Sequence, residues 1–296
     1  MIVVAGGSGL LGRQVVGDLV GRGEAVRVLV RDPDRARRAL GALGALGDDV
    51  EVVAGDVRSR GGLDEAVAGA HVVISAVHGF LGGRGAGPVE VDQRGNANLV
   101  DAAESAGSDV VLVSVLGASA DSPVDLFRAK HEAEQQLRRS GTPWTIVRPV
   151  AYLETWLAIL TKTAGTSGRP LVFGRGDEPI QLVSATDVAT VVSRAATDPA
   201  LRGRVLDIVG EPLSMNDLAE ALQQARGWSG RPRHLPRGVL RTMALAARPI
   251  SPAFARQNRT ALAMDTGQLS ADTASNDSVD VRAHPLAEVL ARPVAP

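Results

Sequence analysis

The sequence predicts a doubly wound α/β fold, a parallel sheet with helices on both faces, joined to a smaller C-terminal substrate region. Three observations predict it. Short apolar runs alternate with stretches of helical periodicity through the first half of the chain. Those runs are continuous, as strands buried on both faces require. The first of them leads directly into a glycine cluster, Gly6-Gly7-Ser8-Gly9-Leu10-Leu11-Gly12.

Residues 2–5 form the first strand. Beyond the glycines, Leu10, Leu11, Val15, Val16, Leu19 and Val20 fall at helical spacing. Further strands are expected at 25–30, 50–54, 71–77, 109–115 and 144–147. Helices over 63–68, 89–106 and 122–140 connect them, with Ser122 as N-cap and Pro123 in the first turn. The glycine-rich stretch 79–88 reads as a mobile loop, a lid or a plain connection. Residues 1–150 are thus a nucleotide-binding domain and 151–296 the C-terminal region, with 179–210 returning to the main sheet.

Glycine allows a tight turn and leaves backbone N–H groups open to a pyrophosphate, and a helix N-terminus favours an anion. Gly7, Gly9 and Gly12 give G-x-G-x-x-G, and Gly6, Gly9 and Gly12 give G-x-x-G-x-x-G. The flanking strand and helix supply the context such a motif needs. At the end of the second strand an acid would hold the ribose hydroxyls of NAD, and an arginine the 2′-phosphate of NADP. Arg31 stands there and Arg35 follows one turn later, which points to NADP(H). Asp32 keeps NAD(H) possible, and solvated charges at a helix start are the plain alternative. Asp56, Val57, Ala76, Val77, His78, Ser114 and Pro149 fall at or just beyond the carboxyl ends of other strands, where ligands of open α/β sheets bind. With the glycine loop they are the expected cofactor-binding residues.

Composition narrows the function. A net charge of −1 and 3% aromatic residues argue against a nucleic-acid surface. Without cysteine there is no disulfide, thiolate metal site or thiol nucleophile. The five histidines lack metal-ligand spacing, so no metal is expected. No apolar run approaches spanning length and no signal peptide is read. The expectation is a cytoplasmic monomer or homodimer acting on a small molecule, with no nucleic-acid or membrane partner.

Several segments carry a family resemblance. They are Gly6 to Gly12, Leu29-Val30-Arg31, Ala54-Gly55-Asp56, Val91 to Asn96, Val113 to Gly117, Phe127 to Glu134 and Ser140 to Pro149. In these the chain resembles the atypical short-chain dehydrogenase/reductase group, specifically NmrA-like and isoflavone-reductase-like NAD(P)-binding proteins. The resemblance implies a Rossmann fold and a nicotinamide cofactor. It departs from ordinary short-chain dehydrogenases where their Tyr-x-x-x-Lys pair would fall, because Leu126 replaces the tyrosine. Phe127 and Lys130 fit the Phe-x-x-Lys arrangement of the isoflavone-reductase-like enzymes.

Lys130 and Lys162 are the only lysines, and a lysine can exchange a proton where an arginine cannot. Leu126, Lys130, Ala133 and Leu137 share one otherwise apolar helix face, which turns Lys130 toward the sheet. It is the candidate catalytic residue, by ribose binding or proton transfer; a snorkelling stem is the alternative. Tyr152 and Trp156, at i and i+4, are the substrate-lining candidates, or else core. Together these features predict an NADPH-dependent reductase that passes hydride to a small carbonyl, enone or quinone. A non-catalytic NAD(P) redox sensor and a nucleotide-sugar epimerase or dehydratase are the alternatives.

Overall fold

The structure is a computed structural model that describes residues 1–45, 47, 49–247, 250–267 and 284–291. The chain runs β1 (Ile2–Ala5), α1 (Leu10–Gly21), β2 (Val26–Val30), α2 (Pro33–Gly41), β3 (Val50–Ala54), α3 (Leu63–Val67), β4 (Val72–Ser75), α4 (Asn96–Ser105), β5 (Asp109–Val113), α5 (Asp125–Arg139) and β6 (Trp144–Pro149). It continues with β7 (Ala151–Tyr152), α6 (Leu153–Ala164), β8 (Leu171–Phe173), β9 (Ile180–Val183), α7 (Ala185–Thr197) and β10 (Val205–Ile208). Last come β11 (Glu211–Leu213), α8 (Met215–Arg226), β12 (Arg233–Leu235), α9 (Arg237–Ala246), α10 (Pro252–Asp265) and α11 (Leu286–Ala291).

Two compact units result. The first comprises Met1–Pro149 and Ala185–Ile208. Its seven strands are ordered β10-β6-β5-β4-β1-β2-β3 and every neighbouring pair is parallel. The order reverses between β1 and β4, which makes their carboxyl ends the switch point. Val3 and Ala5 join α3, α4 and α5 in one apolar cluster. Ile2 and Val4 are buried too, and the two-residue strand period turns them to the other face. There α1 packs on α7. The fold is therefore the expected doubly wound sheet.

Three local expectations are corrected. The helix expected over 89–106 opens as a π-helix, Val89–Gly95, before becoming α4. Ser122 does not cap α5; its Oγ accepts from Val124 N at 3.2 Å in a local turn, and the helix starts at Asp125. The return to the main sheet begins at Ala185 rather than at residue 179, because β9 pairs elsewhere.

The second unit holds Val150–Ser184 and the described residues from Val209 onward. It contains a β11-β9-β7 sheet and a β12-β8 pair. Its core gathers Leu153, Leu157, Leu160, Ile180, Leu182, Leu218 and Leu222. Asp265, at the end of α10, accepts from Arg175 N and Gly176 N at 2.9 and 2.8 Å and pairs with Arg237. Among the described residues no helix is long and apolar enough to cross a membrane.

Two glycines of α1 make opposite predictions. A Cβ at Gly12 would lie 2.3 Å from Gly6 O, whereas one at Gly17 would meet only Ala45 Cβ at 3.8 Å. Gly12→Ala should cost about 1–3 kcal/mol through backbone displacement. Gly17→Ala should gain up to about 1 kcal/mol from helix propensity. Urea unfolding of both variants checks this, and equal effects would refute the close-approach account.

Candidate dinucleotide site

The first unit builds a site along the carboxyl edge of its sheet. Gly6 leaves β1 with φ +85, and a Cβ there would meet Ala76 O at 2.9 Å. Its N–H donates to Leu29 O at 3.0 Å, and Gly9 N returns to Gly6 O at 3.0 Å. The loop is thus folded tightly between β2 and β4. Gly9 sits at the N-cap of α1 with no side-chain capping bond, and no acid lies in the first turn. Ser8 and Leu10 are half-buried beside it, while Leu11 is core. The amides at the start of α1 are therefore left to an anion.

Arg31 and Arg35 are exposed at the end of β2 and in the first turn of α2. Asp32 is spent differently. Its carboxylate caps α2 by accepting from Arg35 N at 2.9 Å. Asp56, two residues beyond β3, is held by Arg58, which pulls its pKa below the usual carboxylate value. Arg58 also donates to Gly85 O at 2.6 Å, which ties the glycine-rich stretch to the end of β3. Val57 is buried, and its carbonyl accepts from Asn98 at 2.9 Å. Ala76 N continues the β4 ladder to Ala5 O.

Lys130 is buried, at 4% exposure. Nζ donates to Val77 O at 2.9 Å and to Val113 O at 2.8 Å, and pairs with Asp92 Oδ1 at 3.0 Å. Asp92, at 0% exposure, also accepts from Gly79 N at 2.7 Å. The π-turn places Asp92 there, while Asn96 links Asp92 O to the hydroxyl of Ser75. Lys130 points inward as read, and two of its hydrogens bind carbonyls in the wall of the site.

One turn along α5, Glu134 is also buried and takes a bidentate pair from Arg148. Ser114, expected at the end of β5, hydrogen-bonds Glu134. A carboxylate only accepts, so the Ser114 hydroxyl is the donor, and only its lone pairs can face a ligand. Burial pushes the pKa of Asp207, the neighbour of Arg148 across the sheet, upward; Arg148 opposes this and Glu134 adds to it. His78 is exposed, yet the packing around its ring lowers its pKa, with Asp92 opposing the shift and Lys130 adding to it. Pro149 ends β6, and its carbonyl accepts from Leu116 N at 2.9 Å.

The NmrA-like family profile matches residues 1–279. The chain belongs to the NmrA-like family. An NAD(P)H azoreductase from Xenophilus azovorans is 32% identical over 77% of this chain and 74% of its own length. A (4-alkanoyl-5-oxo-2,5-dihydrofuran-3-yl)methyl phosphate reductase from Streptomyces griseus is 32% identical over 84% of this chain and 82% of its own. The fold of this NmrA-like chain is similar to that of an NADPH-dependent quinone oxidoreductase from Escherichia coli crystallised with NADPH. There the TM-score is 0.76 at 23% identity, covering 98% of both chains.

Two candidates of this NmrA-like chain lie in the second unit. Tyr152 does not share a helix face with Trp156, because it belongs to β7 and α6 begins at Leu153. Burial pushes its phenol pKa up, and Glu154 adds to the shift. Trp156 packs against the core of that unit and lines a small pocket with Phe173, Met215 and Met264. Sequence reasoning missed Asp92, Glu134, Arg148 and Arg58 as parts of the site. Glu134 alone carried a local signal, since it follows Lys130 by four residues on the same helix.

Removing Lys130 leaves a buried carboxylate without its cation. Lys130→Met should therefore cost about 3–5 kcal/mol. Adding Asp92→Asn should restore at least half of that loss, because the amide keeps an acceptor for Gly79 and carries no charge. Guanidinium unfolding of the single and double variants measures it, and an additive double mutant would contradict the ion-pair account.

Proposed function

We propose that the chain is an NADPH-dependent reductase whose acceptor takes hydride without a dedicated protein acid. The observation that carries the cofactor half is the uncapped N-terminus of α1 at the switch point. It stands beside an arginine pair whose neighbouring acid is already used as a helix cap. The residues fit NADP(H): Gly6 to Gly12 would hold the pyrophosphate, and Arg31 with Arg35 the 2′-phosphate. With one oxygen of Asp32 on the helix cap and two arginines beside it, NAD(H) ranks second. The relatives named as an NAD(P)H azoreductase and as a reductase support the same reading.

When bound, the cofactor supplies a hydride. The chain itself offers few proton donors. Leu126 stands where a tyrosine would, Lys130 donates to Val77 O and Val113 O and is ion-paired with Asp92, and Ser114 gives its proton to Glu134. Ser114 is thus left as an acceptor, suited to a carboxamide N–H or a ribose hydroxyl. The proton that completes reduction then comes from water. Such a site favours acceptors that hold the added electron pair as a stabilised anion, quinones before enones and simple ketones before neither. A quinone becomes a hydroquinone anion that water protonates afterwards.

The same lack of a donor favours a second reading, a dinucleotide sensor that binds both redox forms and turns over neither. Nicotinamide absorbance followed with NADPH and a panel of quinones, enones and ketones separates the two. Turnover of quinones with little on ketones supports the reductase, whereas tight binding of both forms without turnover supports the sensor. Arg31→Ala should raise the KM for NADPH about tenfold, the loss of one charge-assisted hydrogen bond, and leave that for NADH unchanged. Equal effects on both cofactors would remove the 2′-phosphate role.

A further inference from the structure

We infer that Arg58 sets the preference for NADP(H) over NAD(H), acting through Asp56 as a positioning residue rather than by touching the cofactor. That role rests on the dinucleotide half of the proposed function and not on hydride transfer. An arginine at the end of β2 suits a 2′-phosphate only while no carboxylate neutralises it. Three acids stand close to Arg31 in sequence or across the sheet. Asp32 caps α2 by accepting from Arg35 N, and Asp34 pairs with Arg37 at 3.2 Å. Asp56 is the one that the strand register sets beside Arg31. β2 and β3 are parallel with Val30 next to Ala54, and Gly55 N donates to Val30 O at 2.8 Å. Arg31 and Asp56 therefore leave neighbouring strand ends, whose backbones lie about 5 Å apart.

Arg58 is what draws Asp56 away. Its backbone N donates to Asp56 Oδ1 at 3.0 Å, and its Nε lies 3.0 Å from both carboxylate oxygens. Nη2 donates to Oδ2 at 2.5 Å. Both oxygens of Asp56 are thus turned to one residue. These hydrogen bonds hold the Asp56 carboxyl below its usual pKa, and the charge of Arg31 adds to the effect, so the two groups are within electrostatic reach. The far side of the guanidinium is held as well, because Nη1 donates to Gly85 O at 2.6 Å. A planar fork fixed at both ends grips a carboxylate in a way that a single ammonium cannot. With Asp56 turned to Arg58, Arg31 stays exposed at the end of β2.

Without Arg58, Asp56 is a carboxylate released beside Arg31. It pairs with that arginine and repels a phosphate dianion placed there. NADH brings uncharged ribose hydroxyls to the same place, and a hydroxyl can donate to a carboxylate. Loss of Arg58 therefore acts on one cofactor and spares the other. Two other roles for Arg58 behave differently. A residue that only braced the glycine-rich stretch would matter equally for both cofactors. A residue that bound the phosphate directly would be needed whether or not Asp56 carried a charge.

Calorimetric titration of the full chain with NADPH and with NADH, with no acceptor present, tests it. Arg58→Met should weaken NADPH binding about tenfold and NADH binding by less than about twofold. With Asp56→Asn already in place, the same change should cost NADPH less than about threefold, because the competing charge is gone. Arg58→Lys keeps the charge and a donor, and its NADPH affinity should fall between those of the parent and Arg58→Met. Circular dichroism and unfolding midpoints check that each variant is folded. Equal weakening of both cofactors would overturn the proposal. So would a tenfold loss of NADPH affinity that persists with Asp56→Asn. A parent that binds neither cofactor would remove the dinucleotide reading itself and this role with it, an outcome distinct from the other two.

Discussion

The buried Lys130–Asp92 pair is the interaction on which the carboxyl edge of the sheet depends. An ammonium removed from water is tolerated when it is paired with a counter-ion and hydrogen-bonded. Its two carbonyl acceptors and its counter-ion come from the end of β4, the end of β5 and the π-turn before α4. Satisfying one charge therefore fixes three segments that are far apart in sequence. Asp92 passes the constraint on to Gly79, where the glycine-rich stretch begins. Glu134 repeats the device one turn later and joins β5, α5 and β6 through Ser114 and Arg148.

The two sides of the sheet's carboxyl edge differ in polar character. On the side of β1 and β2 the chain offers unfilled amides and exposed cations, which suit an anionic cofactor. On the side of β4, β5 and β6 the Ser114 hydroxyl and two hydrogens of Lys130 are given to protein acceptors. The reductase reading takes its preference for acceptors that stabilise their own charge from that shortage of donors.

The alternation of strands and helices, the glycine loop, the arginines after β2 and the inward stripe of α5 were all legible in the sequence. They rest on period, turn chemistry and local spacing, which a single stretch of chain records. The partners of Lys130 were not legible, because Val77 and Val113 lie 53 and 17 residues away. Nor was the π-turn, since widening a helix by one residue leaves no change in composition. Ser122 looked like a cap for the same reason that it makes a turn: its hydroxyl takes whichever nearby amide the backbone presents. Tyr152 and Trp156 had helical spacing but not a common helix, because the chain stays extended through β7.

By itself, then, the sequence determined the doubly wound sheet, the place of the glycine loop and the face on which Lys130 lies. Tertiary structure alone decided what Lys130, Ser114 and Asp32 do with their hydrogens and oxygens, which strands β8 and β9 pair with, and that Leu245, Ile250 and Phe254 stay outside the core. The division is physical. Burial periodicity is a property of neighbours along the chain. The satisfaction of a buried polar group, and the exposure of an apolar one, depend on segments that meet only after folding.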